Sequence, residues 1–506
     1  MNLSEEIERF FKGDVDDSPA TLDAYSRDAS IFCVRPRLVV FPKDIDDVKN
    51  LVAYASAARK QGVDISLTAR SAGTDMSGGP LTESIVVEFT KYIHDLKEIG
   101  EDYAVVEPGM YYRDFEKKTL EAGLLMPSYP ASRELCTVGG MVANNSGGEK
   151  TLVYGKTEQY VEELNVVLTD GNEYIFHALS LAELAKKKQL YTFEGEVYRK
   201  MSALIEENRE IIAAAKPQVT KNSSGYFLWN VVDPTAQTFD LTKLIVGSQG
   251  TLGFITKIKF KLVRPKPCSR LLVIFLKDIA QLAGLTKQVL ACKPESFESY
   301  DDNTFRIAIR FFPEIVEQIK GSIFQLALSL LPEAWMMLRG GIPKLVLLVE
   351  FTADTREEAD MQARAAEQQL KKAYPSLKMR VTRSDEETEE FWLIRRESFN
   401  LLRHHVRGLR TAPFIDDLSV RPDLLPEFLP ELYAILGRYK LLYTVAGHVG
   451  DGNFHIIPLM DFRDPKIKDT IANLSKEVYA LIAQYKGSIT GEHNDGLIRT
   501  PFVREE

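Results

Sequence analysis

Near the end of this 506-residue chain, a few residues have the types and spacing to do chemistry. The stretch Gly447-His448-Val449-Gly450-Asp451-Gly452-Asn453-Phe454-His455 lies between two apolar runs, Leu441 to Ala446 and Ile456 to Met460. Gly450 to Asn453 has the composition of a tight turn, which predicts a hairpin. With those four residues as the loop, Val449 pairs with Phe454 and His448 with His455, placing both imidazoles on one face about 5 Å apart at Cβ. That spacing suits one shared metal ion; two unrelated polar residues beside a turn is the alternative. Further on, Ser488-Ile489-Thr490 reads as a short strand, and Gly491-Glu492-His493 sets a carboxylate beside an imidazole. Two histidines and a carboxylate are a usual ligand set for a catalytic divalent metal that keeps a position open.

Three glycine-rich stretches upstream supply a second kind of chemistry. Thr68-Ala69-Arg70-Ser71-Ala72-Gly73-Thr74-Asp75-Met76-Ser77-Gly78-Gly79 follows a predicted strand ending at Leu67, so its backbone N–H groups can converge on an anion. Cys136-Thr137-Val138-Gly139-Gly140-Met141-Val142-Ala143-Asn144-Asn145-Ser146-Gly147-Gly148 lacks bulk where backbone would approach a flat or phosphorylated ligand. Gly247-Ser248-Gln249-Gly250-Thr251-Leu252-Gly253 precedes the alternating strand Phe254 to Leu262. A single such loop is more often a plain turn; three in succession suggest one extended ligand.

The order Arg70-Ser71-Ala72-Gly73-Thr74, Thr137-Val138-Gly139-Gly140 with Asn144, Tyr154-Gly155, then Gly247 to Gly253 resembles the FAD-binding domain of the vanillyl-alcohol-oxidase (VAO/PCMH) type. The His448 to His455 hairpin and Gly491-Glu492-His493 narrow the resemblance to the FAD-linked 2-hydroxyacid dehydrogenases, which include D-lactate dehydrogenase, D-2-hydroxyglutarate dehydrogenase and the glycolate oxidase flavin subunit. The resemblance implies an α+β fold with three parts. These are an N-terminal helical extension (1–30), a two-subdomain FAD-binding domain (31–264), and a ferredoxin-like α+β cap for substrate and metal (265–506) whose C-terminus looks truncated beside relatives that continue.

It also implies non-covalent FAD held by Arg70, Ser71, Ala72, Gly73, Thr74, Ser77, Gly78, Pro130, Thr137, Gly139, Gly140, Asn144, Ser146, Gly147, Gly148, Tyr154, Gly155, Gly250, Gly253 and Ile255. A divalent metal, zinc first, would sit on His448, His455 and Glu492, with His493 as the base, Arg395 of Trp392-Leu393-Ile394-Arg395 on the substrate carboxylate, and Asn453 on substrate or flavin. The expected reaction is oxidation of a small D-2-hydroxyacid, D-lactate-like or glycolate-like, to the 2-oxoacid. Ile415 stands where dicarboxylate-specific relatives carry lysine, which argues against a dicarboxylate. A flavin-binding electron-transfer subunit, or group transfer like that of alkyl-glycerone-phosphate synthases, are the alternatives.

The first loop departs from the family at Ser71 and Ala72, both still small, and Gln249 replaces a common glutamate. Asn494 replaces a common glycine, which puts the path of its loop in question. No histidine lies in the first loop, so histidine-linked flavin is not expected.

Composition narrows the partners. With 45% apolar and 27% charged residues and a net charge of -9, the chain reads as globular and lacks the basic surface of a nucleic-acid binder. Cys33, Cys136, Cys268 and Cys292 show no CxxC spacing and are expected as free thiols. The acidic start predicts a cytoplasmic protein, and the apolar run Ile323 to Leu338, short of the ~20 residues of a membrane span, leaves room for peripheral docking at the inner face of a membrane. An iron–sulfur or membrane-bound electron acceptor is the expected partner, and the chain is expected as a monomer or dimer.

Overall fold

The computed structural model describes residues 3–302, 304, 342–405 and 408–505; of 396–405 and 504–505 only the backbone is described. The run Ile323 to Leu338 lies outside these residues. Strands β1 (Asp14–Asp16), β2 (Leu38–Phe41), β3 (Leu67–Arg70) and β4 (Ile85–Glu88) form a sheet in the order β1-β2-β4-β3, with β2 and β3 each parallel to β4. The crossover helix Ile45–Lys60 is capped by Asp44, whose carboxylate accepts from Asp47 N at 3.1 Å. It buries Val48, Leu51, Val52 and Ala55, the one-face spacing of an amphipathic helix. The strand predicted to end at Leu67 instead begins there and ends at Arg70. Its parallel pairing with β4 runs from Leu67 to Arg70, so the strand delivers Arg70 to the sheet's edge and the glycine-rich loop starts at Ser71.

The second layer contains β5 (Leu96–Ile99), β6 (Tyr103–Val106), β7 (Val161–Val167) and β8 (Glu173–His177). A small three-stranded sheet of β9 (Leu179–Ser180), β10 (Val232–Asp233) and β11 (Thr238–Phe239) lies beyond, before β12 (Phe254–Lys261) returns to give the antiparallel order β5-β6-β12-β7-β8. The second glycine stretch is a short helix, Val138–Asn144, rather than a loop: Thr137 Oγ1 caps it from Gly140 N at 3.2 Å. Gly139 is required there because a Cβ would lie 2.4 Å from Pro108.

The third sheet begins with β13 (Cys268–Leu276), β14 (Ser296–Asp301), β15 (Leu345–Ala353) and β16 (Lys378–Val381), in the order β16-β13-β15-β14. Helices Leu282–Ala291 and Arg356–Ala373 make the connections, and their buried faces share one apolar core with the strands. This is the ferredoxin-like arrangement. The sheet continues through β17 (Arg410–Thr411), β18 (Leu418–Ser419), β19 (Leu442–His448) and β20 (Asn453–Met460).

The hairpin is present, in a different register from the one expected. His448 pairs with Asn453, and Ala446 with His455. The loop is Val449 to Gly452, closed by Gly452 N to Val449 O at 3.1 Å with Gly452 at φ +68°, so Asn453 already belongs to the strand. Because Asn453 and His455 are two apart, both imidazoles still share a face. The strand expected at Ser488 to Thr490 is reduced to one bridge, Ser419 to Ser488.

Candidate active site

The hairpin delivers the two imidazoles, and carboxylates from other strands aim them. His448 Nδ1 lies 2.6 Å from Glu298 Oε1 on β14, and His455 Nδ1 lies 3.1 Å from Asp416 Oδ1, just before β18. Each Nε2 then faces Glu492: His448 Nε2 is 3.5 Å from Oε1 and His455 Nε2 is 3.8 Å from Oε2. A carboxylate on the far ring nitrogen is how metal-binding imidazoles are oriented. His493 stacks on His455 with ring centroids 5.1 Å apart, and its Nδ1 lies 2.9 Å from Asp416 Oδ2, out of line for a hydrogen bond.

A second quartet competes for the role of ligand set: atoms of Asp417, His455, Glu492 and His493 lie within 4.8 Å of one another. Asp417 is already saturated. Its Oδ2 accepts from Glu492 N at 2.7 Å, His493 N at 2.7 Å and Thr490 Oγ1 at 2.8 Å, and its Oδ1 accepts from Asn453 Nδ2 at 2.9 Å. It is an anchor for the tail; His455, Glu492 and His493 remain of that quartet, and His448 faces the same Glu492 carboxylate from the hairpin.

Charge is dense here. Burial works against a charged His448, but Glu298 more than compensates and raises its pKa to about 9. Burial likewise opposes a charged His493, and Asp417 with Asp416 raises it to about 9. Burial pushes Glu492 toward its neutral form, yet Lys221 and His448 hold it well below the usual carboxylate range.

Arg395, in the helix Asp385–His405, donates from Nη2 to Glu298 Oε2 at 3.2 Å, and its buried Nε has no hydrogen-bond partner among the described residues. It stands beside the histidine centre with donors to spare. Asn453 is fully buried; its Nδ2 donates to Asp417 and to Leu418 O at 3.2 Å and so holds the tail, while its buried Oδ1 has no hydrogen-bond partner among the described residues. Ile415 is fully buried in the apolar core, so its side chain does not face this centre. Arg410 is exposed, and the side chains of Arg396, His404 and His405 lie outside the described residues.

The glycine stretches converge beside the histidines. A Cβ on Gly140 would lie 2.9 Å from Ser71 Oγ, Gln249 N donates to Ala143 O at 2.8 Å, and a Cβ on Gly147 would lie 3.4 Å from Glu492 Oε1. Arg70 is buried at the end of β3, bonded through Nη2 to Arg27 O at 2.6 Å, while Nε and Nη1 have no hydrogen-bond partner among the described residues. Orphaned guanidinium donors next to small residues fit a phosphate group. Several of the expected cofactor residues also have structural roles: Thr137 is a fully buried cap, Gly253 lies against Val166, and Ile255 pairs with Val166. Gly148 closes on Tyr129 O beside Pro130, and Gly155, at φ +68°, lies against Gln159. Cys136 is buried, with its thiol pushed up to about 12 by burial.

Glu298, Asp416, Asp417 and Lys221 belong to the site without forming part of any motif in the sequence, and Asp451 lies in the hairpin motif, where it reads only as a turn residue. The adjacent pair Asp416-Asp417 inside an apolar segment, and Glu298 on a fully buried strand, are the signals that could have found three of them. No helix among the described residues is long and apolar enough to cross a membrane.

Comparison with known proteins places this geometry. Residues 36–176 match the FAD binding domain family and residues 267–506 the family of FAD linked oxidases, C-terminal domain. The chain is 28% identical over 503 residues to D-2-hydroxyglutarate dehydrogenase of Pseudomonas putida, covering 98% of this chain and 48% of that protein. It is 26% identical to glycolate oxidase subunit GlcD of Bacillus subtilis, covering 96% and 87%. The chain thus spans about half the length of the first of these relatives. In fold it is similar to 4-ethylphenol oxidase of Gulosibacter chungangensis (TM-score 0.64, 17% identity, 97% of this chain and 88% of that one) and to an alkyldihydroxyacetonephosphate synthase (TM-score 0.64, 14% identity, 96% and 79%). The chain thus joins a VAO/PCMH-type FAD-binding fold to a ferredoxin-like cap, with a FAD binding domain at residues 36–176 and a C-terminal domain of the FAD linked oxidases at 267–506.

Proposed function

We propose that this chain carries out FAD-dependent oxidation of a D-2-hydroxyacid to the 2-oxoacid, with a divalent ion, zinc first, held by His448, His455 and Glu492. The carrying observation is the convergence of two carboxylate-oriented imidazoles on Glu492, with His493 stacked alongside. The glycine stretches would hold FAD, whose chemistry would be to accept the hydride from C2, and His448, His455 and Glu492 would hold an ion supplying Lewis acidity toward the 2-hydroxyl.

Arg395 binds the substrate carboxylate with the donors that Glu298 leaves free, fixing C2 relative to the centre. His493 accepts the hydroxyl proton at Nε2, the ring nitrogen that does not face Asp416. In the ion-free protein its two carboxylate neighbours favour the charged ring; an ion held by His455 and Glu492 would oppose them and favour the neutral, proton-accepting imidazole. The small-monocarboxylate preference drawn from Ile415 loses its ground, because that side chain packs in the core. D-2-hydroxyglutarate, the substrate named for several relatives, is therefore tested first, with D-lactate and glycolate beside it. The electron acceptor beyond the flavin is an iron–sulfur or membrane-bound partner, to which the reduced flavin gives its two electrons, singly where the partner is an iron–sulfur cluster, and the chain works in the cytoplasm or at its membrane face.

The test is anaerobic bleaching of the flavin absorbance by each hydroxyacid. His493→Gln keeps the flavin spectrum and slows bleaching by about 10²-fold or more. Bleaching of His493→Gln at the unmodified rate would remove the proton-acceptor role, and bleaching by no 2-hydroxyacid would remove the function.

A further inference from the structure

Lys221 does not figure in the reaction above, yet its ammonium sits inside the centre. Its side chain is fully buried, and Nζ lies 2.6 Å from Glu492 Oε1, 3.5 Å from Asp451 Oδ2 and 3.4 Å from Gly148 O. Oε1 is also the oxygen that lies 3.5 Å from His448 Nε2. A lysine therefore occupies the carboxylate oxygen that the ligand set needs.

We propose that Lys221 is a tethered cation with two seats: it neutralises Glu492 while that carboxylate holds no metal ion, and crosses to Asp451 when Glu492 takes one. The proposal rests on the ligand set His448, His455 and Glu492.

Three features carry it. An ammonium and a dication sharing one carboxylate oxygen in a water-excluded centre repel each other, so the two cannot both be seated on Glu492 at full strength. Nor can the ammonium escape to solvent, since the side chain is enclosed and an unpaired buried charge is strongly unfavourable. Any move must end on another anion inside the protein. Asp451 is that anion. It is held in the hairpin turn, buried, already facing Nζ at a distance longer than a hydrogen bond, and its Oδ1 is buried with no partner among the described residues. A small rotation at the end of the lysine stem closes the gap. The arrangement explains why a turn between two metal-binding histidines buries a carboxylate that has no other use among the described contacts.

The second seat also gives the site a preference. In the ion-free state the lysine keeps Glu492 from being an uncompensated buried charge and holds the ligands together. In the loaded state it leaves the centre's net charge unchanged apart from the ion itself. The cost is competition, so ion affinity is set below what the bare ligand set would give.

The test is zinc affinity, measured by competition with a chromophoric chelator at one pH on the flavin-loaded protein. The unmodified chain binds one zinc. Lys221→Met binds it about tenfold tighter or more, because the competitor is gone. Asp451→Asn binds it about tenfold weaker, because the ammonium has lost its second seat and stays on Glu492. Lys221→Met with flavin content and melting temperature intact but equal or weaker zinc affinity overturns the proposal and makes the lysine a fixed support for Glu492. Should Lys221→Met not fold, Asp451→Asn and crystal structures of the unmodified protein with and without zinc decide. Nζ is expected to shift toward Asp451 on loading, and Nζ unmoved beside Glu492 at full zinc occupancy overturns the proposal. An unmodified chain that binds no zinc removes the ligand set and this proposal together, whereas zinc binding without the predicted shifts removes this proposal alone.

Discussion

Asp417→Asn separates an anchor from a ligand. The carboxylate is fully buried and takes four donors, three of them on Oδ2 from the segment carrying Glu492 and His493. An amide keeps one oxygen. In its better orientation that oxygen faces the tail and the NH₂ faces Asn453 Nδ2, donor against donor. The three tail contacts fall from charge-assisted to neutral, each losing about 1 kcal/mol, and the opposed amides add roughly 1 kcal/mol more. The expected loss is about 4 kcal/mol, a drop in melting temperature of about 8–16 °C for a unit the size of the C-terminal domain. Circular dichroism melts report the first quantity, and chelator competition reports zinc binding. The anchor role predicts a large fall in melting temperature with zinc affinity weakened only as far as the tail loosens. Loss of zinc at an unchanged melting temperature would refute it and would move Asp417 into the ligand set in place of His448.

Two further outcomes follow from the same geometry. In the ion-free protein, His448 and His493 titrate at about 9 against about 6.5 unfolded, so the stability they contribute is complete below pH ~6.5 and is lost as pH rises through about 9. The melting temperature of chelator-treated protein should fall between those values, and His493→Gln should shrink the fall; a flat or rising profile contradicts the assignment. Asn494 sits at φ +62° and donates to Asn144 O at 2.8 Å and Oδ1 at 2.6 Å. Asn494→Gly should therefore cost about 1 kcal/mol for the lost bonds, and Asn494→Ala about 2, since alanine also takes on the left-handed strain; equal melting temperatures for the two would mean that the backbone conformation is immaterial.

The parts of this site that lie close together in the chain are legible in the amino-acid sequence. The hairpin can be read from its turn composition, and the difference in register does no harm because it amounts to two positions, which keeps every side chain on its face; a difference of one would put the imidazoles on opposite faces. The helix Arg356–Ala373 and the ferredoxin-like connections follow from apolar periodicity and from the family resemblance. What stays hidden are the groups that aim the histidines and balance Glu492. Glu298 is 150 residues from His448, and Lys221 is 271 residues from Glu492. A buried charge on a strand or in a loop looks like a surface charge until its partner is known, so pairings of this range have no local signature. The anchoring role of Asn453 is hidden in the same way, since its Nδ2 reaches Asp417, 36 residues away in the chain.

The tail after His493 runs across all three glycine stretches. Asn144 Nδ2 donates to Glu492 O at 2.9 Å, Gly496 N donates to Gln249 Oε1 at 3.1 Å, and Leu497 N donates to Ser77 O at 2.9 Å. The backbone that carries the proposed metal ligand Glu492 is thus bonded to the segments proposed to receive the dinucleotide, and whatever orders one orders the other. Thermodynamic linkage makes this reciprocal: to the extent that bound FAD tightens the grip on a divalent ion, the ion tightens the grip on FAD by the same factor. Stripping either one should therefore loosen the other, and a protein depleted of both should regain them cooperatively.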